Sequence, residues 1–238
     1  MALGSKFVEF QLRMRSGHNV VIGSGPAAKA FGALSERKCT HLAAGFTTRG
    51  GSSARLDRVG DLDLQLRRAG ASRAHQIIVD DGDDATTWAT ATQVATALKN
   101  ISVDAYIADS WTEERLIRSS REAKLRTFSY ASGGRRQVML AHPPYLLARH
   151  YEAAAQHILV IGFGMVGQSL VREFLATSVS VNPERMMVTI IDKDAIEPIA
   201  GEFLSRMPGL KGCDDIDMVF LCGGLRNPQQ DFMNRLKA

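Results

Sequence analysis

The chain has 238 residues, 45% of them hydrophobic and 23% charged, with a net charge of +4. That is the composition of an ordinary folded protein, long enough for two units that each bury a core. The basic residues are dispersed, with "GGRRQ" (133–137) the densest group and no aromatics between them, so no nucleic-acid module is expected.

The apolar runs are short and broken by glycine, unlike a membrane span. "MALGSKFVEF" lacks the basic region and apolar stretch of a signal peptide. Cys39, Cys213 and Cys222 form no CxxC pair, which fits a reduced, cytosolic chain.

Residues 1–16 read as a linker. "HNVVIGSGPAAKAFGAL" (18–34) then gives a strand at 19–22, a glycine turn and a helix with Pro26 at its first position. "THLAAGF" (40–46) reads as a second strand and "GGSS" (50–53) as a loop. "DLDLQLRRAG" (61–70) is a helix with Gly70 at its C-terminal cap. "HQIIVD" (75–80) is a buried strand, and Trp88, Ala91, Ala95 and Leu98 form the apolar stripe of the next helix. "DAYIAD" (104–109) is a strand, "SWTE" (110–113) a capping box opening a helix, and "LRTFSY" (125–130) a further strand. "GG" (133–134) and "HPPY" (142–145) mark a boundary, followed by a connecting helix at 145–155.

"HILVIGFGMVGQSLVREFL" (157–175) repeats the opening design, with Gly162 lying 139 positions after Gly23. Strands at 158–161, 186–192 and 217–223 and helices at 165–176, 195–207 and 227–237 follow. No helix is legible between "LKGC" and "DMVFL", where an intact unit would need a crossover. This half therefore reads as abbreviated, or as missing part of the natural chain. The expected fold is α/β: two tandem Rossmann-type, doubly wound domains with parallel sheets, the second abbreviated. The first covers residues 17–140, a connecting helix 141–156, and the second 157–238.

"GFGMVG" fits G-x-G-x-x-G with Gly162, Gly164 and Gly167 between a strand and a helix. Gly162 permits the tight turn, Gly164 the approach of a pyrophosphate, and Gly167 close packing of helix on strand. The first helical N–H groups, at Met165 and Val166, face a phosphate with the positive end of the helix dipole. Asp192, ending the next strand, can accept both ribose hydroxyls of an adenosine, with Asp194 a weaker candidate. A Rossmann fold that has lost its ligand is the alternative.

In the first unit Gly23 and Gly25 hold the equivalent places, but Ala28 replaces the third glycine and no acid ends the second strand. Arg49 is a solvated loop residue or a phosphate contact. This site is vestigial or takes another ligand. "DDGDD" (80–84) reads as acids at a helix N-terminus, with a divalent cation site as the alternative. The histidines lack metal-ligand spacing, and His18 and His157, at equivalent places, read as structural. No Tyr-x-x-x-Lys pair occurs: Ser110, Gly134, Arg149 and Ala155 stand four after the four tyrosines. There is no G-x-S-x-G elbow or HExxH, and little chain remains for a substrate domain.

The run "GDLDLQLRRAGASRAHQIIVDDGDDATTWATATQVATAL" resembles the regulator of potassium conductance domain, also called the RCK, KTN or TrkA-N domain. The likeness is carried by Gly60-Asp61, Ala69-Gly70, Ala74 and the acids that follow. "DAYIADSWTEERLIR" resembles that family's next strand and helix, and "HILVIGFGMVG" its opening signature. Two such domains look like the cytosolic part of ligand-gated cation channels, including the CASTOR/POLLUX group. "FVEFQLRMRSGH" is similar to a linker leaving a pore helix.

The resemblance implies a non-enzymatic sensor of NAD(H) or an adenine nucleotide. It also implies a homo-oligomer, as a dimer or a tetrameric or octameric ring. Such a ring lies at the inner face of a membrane and acts on a channel pore in cis or trans. Carried over, Gly162, Gly164, Gly167 and Asp192 would hold the nucleotide of the second domain, and Gly23 and Gly25 that of the first. An NAD-dependent oxidoreductase with its substrate between the halves, or a ligand-free ring scaffold, are the rival readings.

Overall fold

The computed structural model describes residues 16–34, 39–42, 54–56, 61–119, 124–151, 155–177, 186–193, 196–210 and 213–223. Residues 1–15 of the N-terminal linker, the 43–46 end of the second strand, Arg49, "GGSS", Gly60, Asp194 and the 227–237 helix lie outside these residues. The chain divides into two compact units, one ending at Ser129 and the other beginning at Tyr130.

In the first unit the strands are β1 (Asn19–Ile22), β2 (Cys39–Leu42), β3 (Ala54–Leu56), β4 (Gln76–Val79), β5 (Ser102–Tyr106) and β6 (Leu125–Phe128). They form one sheet in the order β3-β2-β1-β4-β5-β6, every neighbour parallel. This is the doubly wound order, in which the chain reverses direction across the sheet between β1 and β4. The helices are α1 (Pro26–Leu34), α2 (Leu62–Arg68), α3 (Asp84–Ala97) and α4 (Ser110–Ser119).

Strand alternation splits the core in two. Val20, Ile22, Ile77, Val79 and Val103 pack with Leu66 of α2 and Ala91 and Val94 of α3. Val21 and Ile78, on the other face, pack with Ala28 and Phe31 of α1. The predicted stripe on α3 is seen: Ala91 and Ala95 are buried, with Trp88 and Leu98 against the same cluster.

Side-chain caps fix the helix starts. Asp61 accepts from the Asp63 N–H and Asp83 from the Thr86 N–H. Gly70, at φ +65°, lets the chain leave α2 through a left-handed residue. One expected cap moves by a residue. Asp109, not Ser110, opens α4, accepting from the N–H groups of Trp111 and Thr112. Glu113 does not complete a capping box; it is buried and accepts from the Ser129 hydroxyl at 2.7 Å.

The second unit contains α5 (Tyr130–Ala141), α6 (Pro144–His150), β7 (His157–Ile161), α7 (Met165–Thr177), β8 (Met186–Asp192), α8 (Ile196–Arg206) and β9 (Ile216–Cys222). Gly133 and Gly134, read as boundary markers, lie inside α5. The three strands are parallel in the order β7-β8-β9.

The crossover that seemed absent before "DMVFL" is α8 itself. β9 lies beside β8 as the third strand, so the helix preceding "LKGC" already supplies the connection. α7 and α8 lie on the Val160–Ile190–Phe220 side of the sheet. Phe163 is fully buried there, edge-on to Phe203 of α8 and Phe220 of β9. On the opposite face Leu159, Ile161 and Met187 are exposed. No helix among the described residues is long and apolar enough to cross a membrane.

Candidate functional site

The two glycine loops are built alike. In the first unit the Gly23 N–H donates to the Leu42 carbonyl at 3.0 Å; in the second, the Gly162 N–H donates to Ile191 at 2.8 Å. Both glycines have positive φ, +101° and +92°, which side chains rarely adopt. Lys29 and Gln168 then donate their N–H groups to Gly25 and Gly164, opening α1 and α7 in the same way.

In the second unit the three glycines have separate roles. Gly162 makes the left-handed turn. A Cβ on Gly167 would meet the Gly162 carbonyl oxygen at 2.1 Å, so only glycine lets α7 close on the β7 turn. A Cβ on Gly164 would meet nothing within 4 Å. Packing therefore does not require glycine at 164; the space above it is open.

Met165 and Val166, the first residues of α7, are exposed. Among the described residues no side-chain acceptor sits on their N–H groups. Such a terminus presents donors and the positive end of the helix dipole outward.

Asp192 ends β8 beside this loop, and its Oδ2 accepts from the Phe163 N–H at 2.5 Å. The parallel register of β7 and β8 makes this contact, pairing Ile161 with Ile191 one step before the loop. Sequence reasoning missed Gln168, whose amide Nε2 donates to the Phe163 carbonyl at 3.1 Å and braces the loop from inside the helix. Gly162, Gly164, Met165, Val166, Gly167 and Asp192 are thus gathered at one strand end.

The first unit differs at both corresponding points. Counting one step past the pairing of Ile22 with Leu42, the residue matching Asp192 in sequence is Ala43. Asp80, following β4, is almost fully buried, and its Oδ2 accepts from the Ala27 and Ala28 N–H groups at 2.7 and 3.1 Å. Its Oδ1 accepts from Gly82 at 3.1 Å.

The other acids of "DDGDD" are also engaged. Asp81 accepts from the Thr90 hydroxyl at 2.7 Å, and Asp83 caps α3. Hydrogen bonds from Thr86 hold the Asp83 carboxyl below the usual carboxylate range. Asp84 accepts from the N–H groups of Ala108 and Asp109 at 2.7 and 3.0 Å. Among the described residues no three His, Cys, Asp or Glu side chains group as metal ligands would.

The two histidines read as structural have partners inside their own units. His18 Nε2 lies 2.9 Å from the Ala69 carbonyl oxygen and His157 Nε2 2.9 Å from the Thr189 hydroxyl.

No protein-family profile matches the chain, and no curated protein matches it. Among solved structures, a GsuK channel is similar over 87% of this chain, with 13% sequence identity and a TM-score of 0.40. That is a distant likeness. The chain spans 66% of that channel's length.

Proposed function

We propose that the chain is a non-enzymatic, nucleotide-sensing regulatory module that reads NAD(H) or an adenine nucleotide through its second unit. The observation that supports this best is the juxtaposition of Asp192 with the Gly162–Gly167 loop. A carboxylate beside the loop suits ribose hydroxyls, and a helix start with open space at Gly164 suits phosphates, which supports the reading. Regulation of a cation channel or transporter, and assembly into an oligomer at the inner face of a membrane, are proposed from the RCK-like run in the first unit. A sensor needs only that its ligand bind two states unequally, with no chemical step.

Calorimetric titration of the chain with NAD, NADH, ATP and ADP tests the reading. Saturable binding of one of them without turnover is expected. Asp192→Ala should weaken it about 10- to 100-fold through loss of charge-assisted hydrogen bonds. No binding by any of the four overturns the sensor. Steady turnover of nicotinamide with a small alcohol, acid or imine would replace it with an oxidoreductase.

A further inference from the structure

The first glycine loop holds an anion, and that anion belongs to the chain. We propose that Asp80 is a built-in ligand: its carboxylate occupies the phosphate position at the start of α1, making this unit self-liganded and closed to nucleotide.

Three independent features carry this. The Asp80 carboxylate takes the N–H groups of Ala27 and Ala28, the donors that the start of α1 would offer a phosphate. A Cβ on Gly25 would meet Asp80 Oδ1 at 1.9 Å, so the glycine that would admit a pyrophosphate instead admits this side chain. The carboxylate is also fixed in place. The Gly25 N–H donates to the Asp80 carbonyl at 3.0 Å, the Asp80 N–H to Ile22 at 2.9 Å, and the Gly82 N–H to Oδ1.

A bound phosphate would have to expel a buried carboxylate and break these contacts together. Ala43, in the sequence place of Asp192, removes the ribose acceptor as well. The second unit has the opposite pattern, with an acid at its second strand and, among the described residues, no side-chain acceptor on the first N–H groups of α7. The division of labour rests on the proposed function; the role of Asp80 does not.

The test is chemical rescue. Asp80→Ala should unfold about 5 °C or more below the native chain. Millimolar formate or phosphate should restore part of that loss while leaving the native chain unmoved. An equal response, or none in a folded variant, overturns the proposal. Asp80→Asn keeps the shape without the charge and should respond to neither anion; rescue of this variant as large as that of Asp80→Ala also overturns it.

If the alanine variant does not fold, the native chain still decides. Amide signals of Ala27 and Ala28 should stay fixed as phosphate or ADP is added, and saturable shifts there overturn the proposal. Formate rescue in a chain that binds no nucleotide would keep Asp80 in its role and remove the sensor reading alone.

Discussion

The glycines of the second loop separate what packing needs from what a ligand needs. Gly167→Ala forces a Cβ against the Gly162 carbonyl and should destabilise the unit by about 1–3 kcal/mol, read from thermal unfolding. Gly164→Val meets open space, so the chain should fold with nearly native stability while nucleotide binding is lost in the titration. Gly25 and Asp80 should be coupled in a double-mutant cycle. Gly25→Ala alone collides with the carboxylate, and in an Asp80→Ala background its cost should fall by about 1–2 kcal/mol.

His41, under α1 at Gly32, is buried, which lowers its pKa below the ordinary imidazole value. Above about pH 6.5 it is neutral in both folded and unfolded chains and costs nothing. Below that the unfolded chain takes the proton first, so stability falls by up to about 1.4 kcal/mol per pH unit until the folded form also protonates. Melting curves between pH 7 and 5 should fall less steeply for His41→Gln. Asp192 and the glycine spacing were legible because they sit in one strand–turn–helix–strand segment. Asp80 was not: its partners lie 52 and 53 positions away, and only the placing of β4 against β1 brings them together.

Among the elements, hydrophobic alternation and glycine turns located most described strands and helices to within two residues. The errors came where a tertiary contact competed with a local pattern. "SWTE" has the letters of a capping box, yet Glu113 turns inward to Ser129 and Asp109 takes over the cap. Asp109→Ala should therefore cost about 1–2 kcal/mol in denaturant unfolding, the range of a lost N-cap. The missing crossover was an error of strand order: spacing alone does not say whether "DMVFL" is the third or the fourth strand, and its pairing with β8 does.

At the scale of the whole chain, the two units differ in the sheets that their described residues form. The first buries both faces of a six-stranded sheet; in the second, among the described residues, one face of a three-stranded sheet has Leu159, Ile161 and Met187 exposed beside a buried Thr189 and Ile191. Two thermal transitions are expected in calorimetry, the lower belonging to the second unit, and a nucleotide held there should raise the lower one alone.

Among the described residues β7 pairs only with β8, although it delivers the glycine loop; its counterpart β1 is held on both sides. A strand anchored along one edge frays more readily than one anchored along two. If the loop binds only while the strand is formed, apparent affinity falls in proportion to that fraction. Backbone amides of β7 should accordingly exchange with deuterium faster than those of β1, and slow when nucleotide is added. The ligand would act as a second clamp on the strand that carries it, and the strength of that clamp could be read directly as an exchange rate.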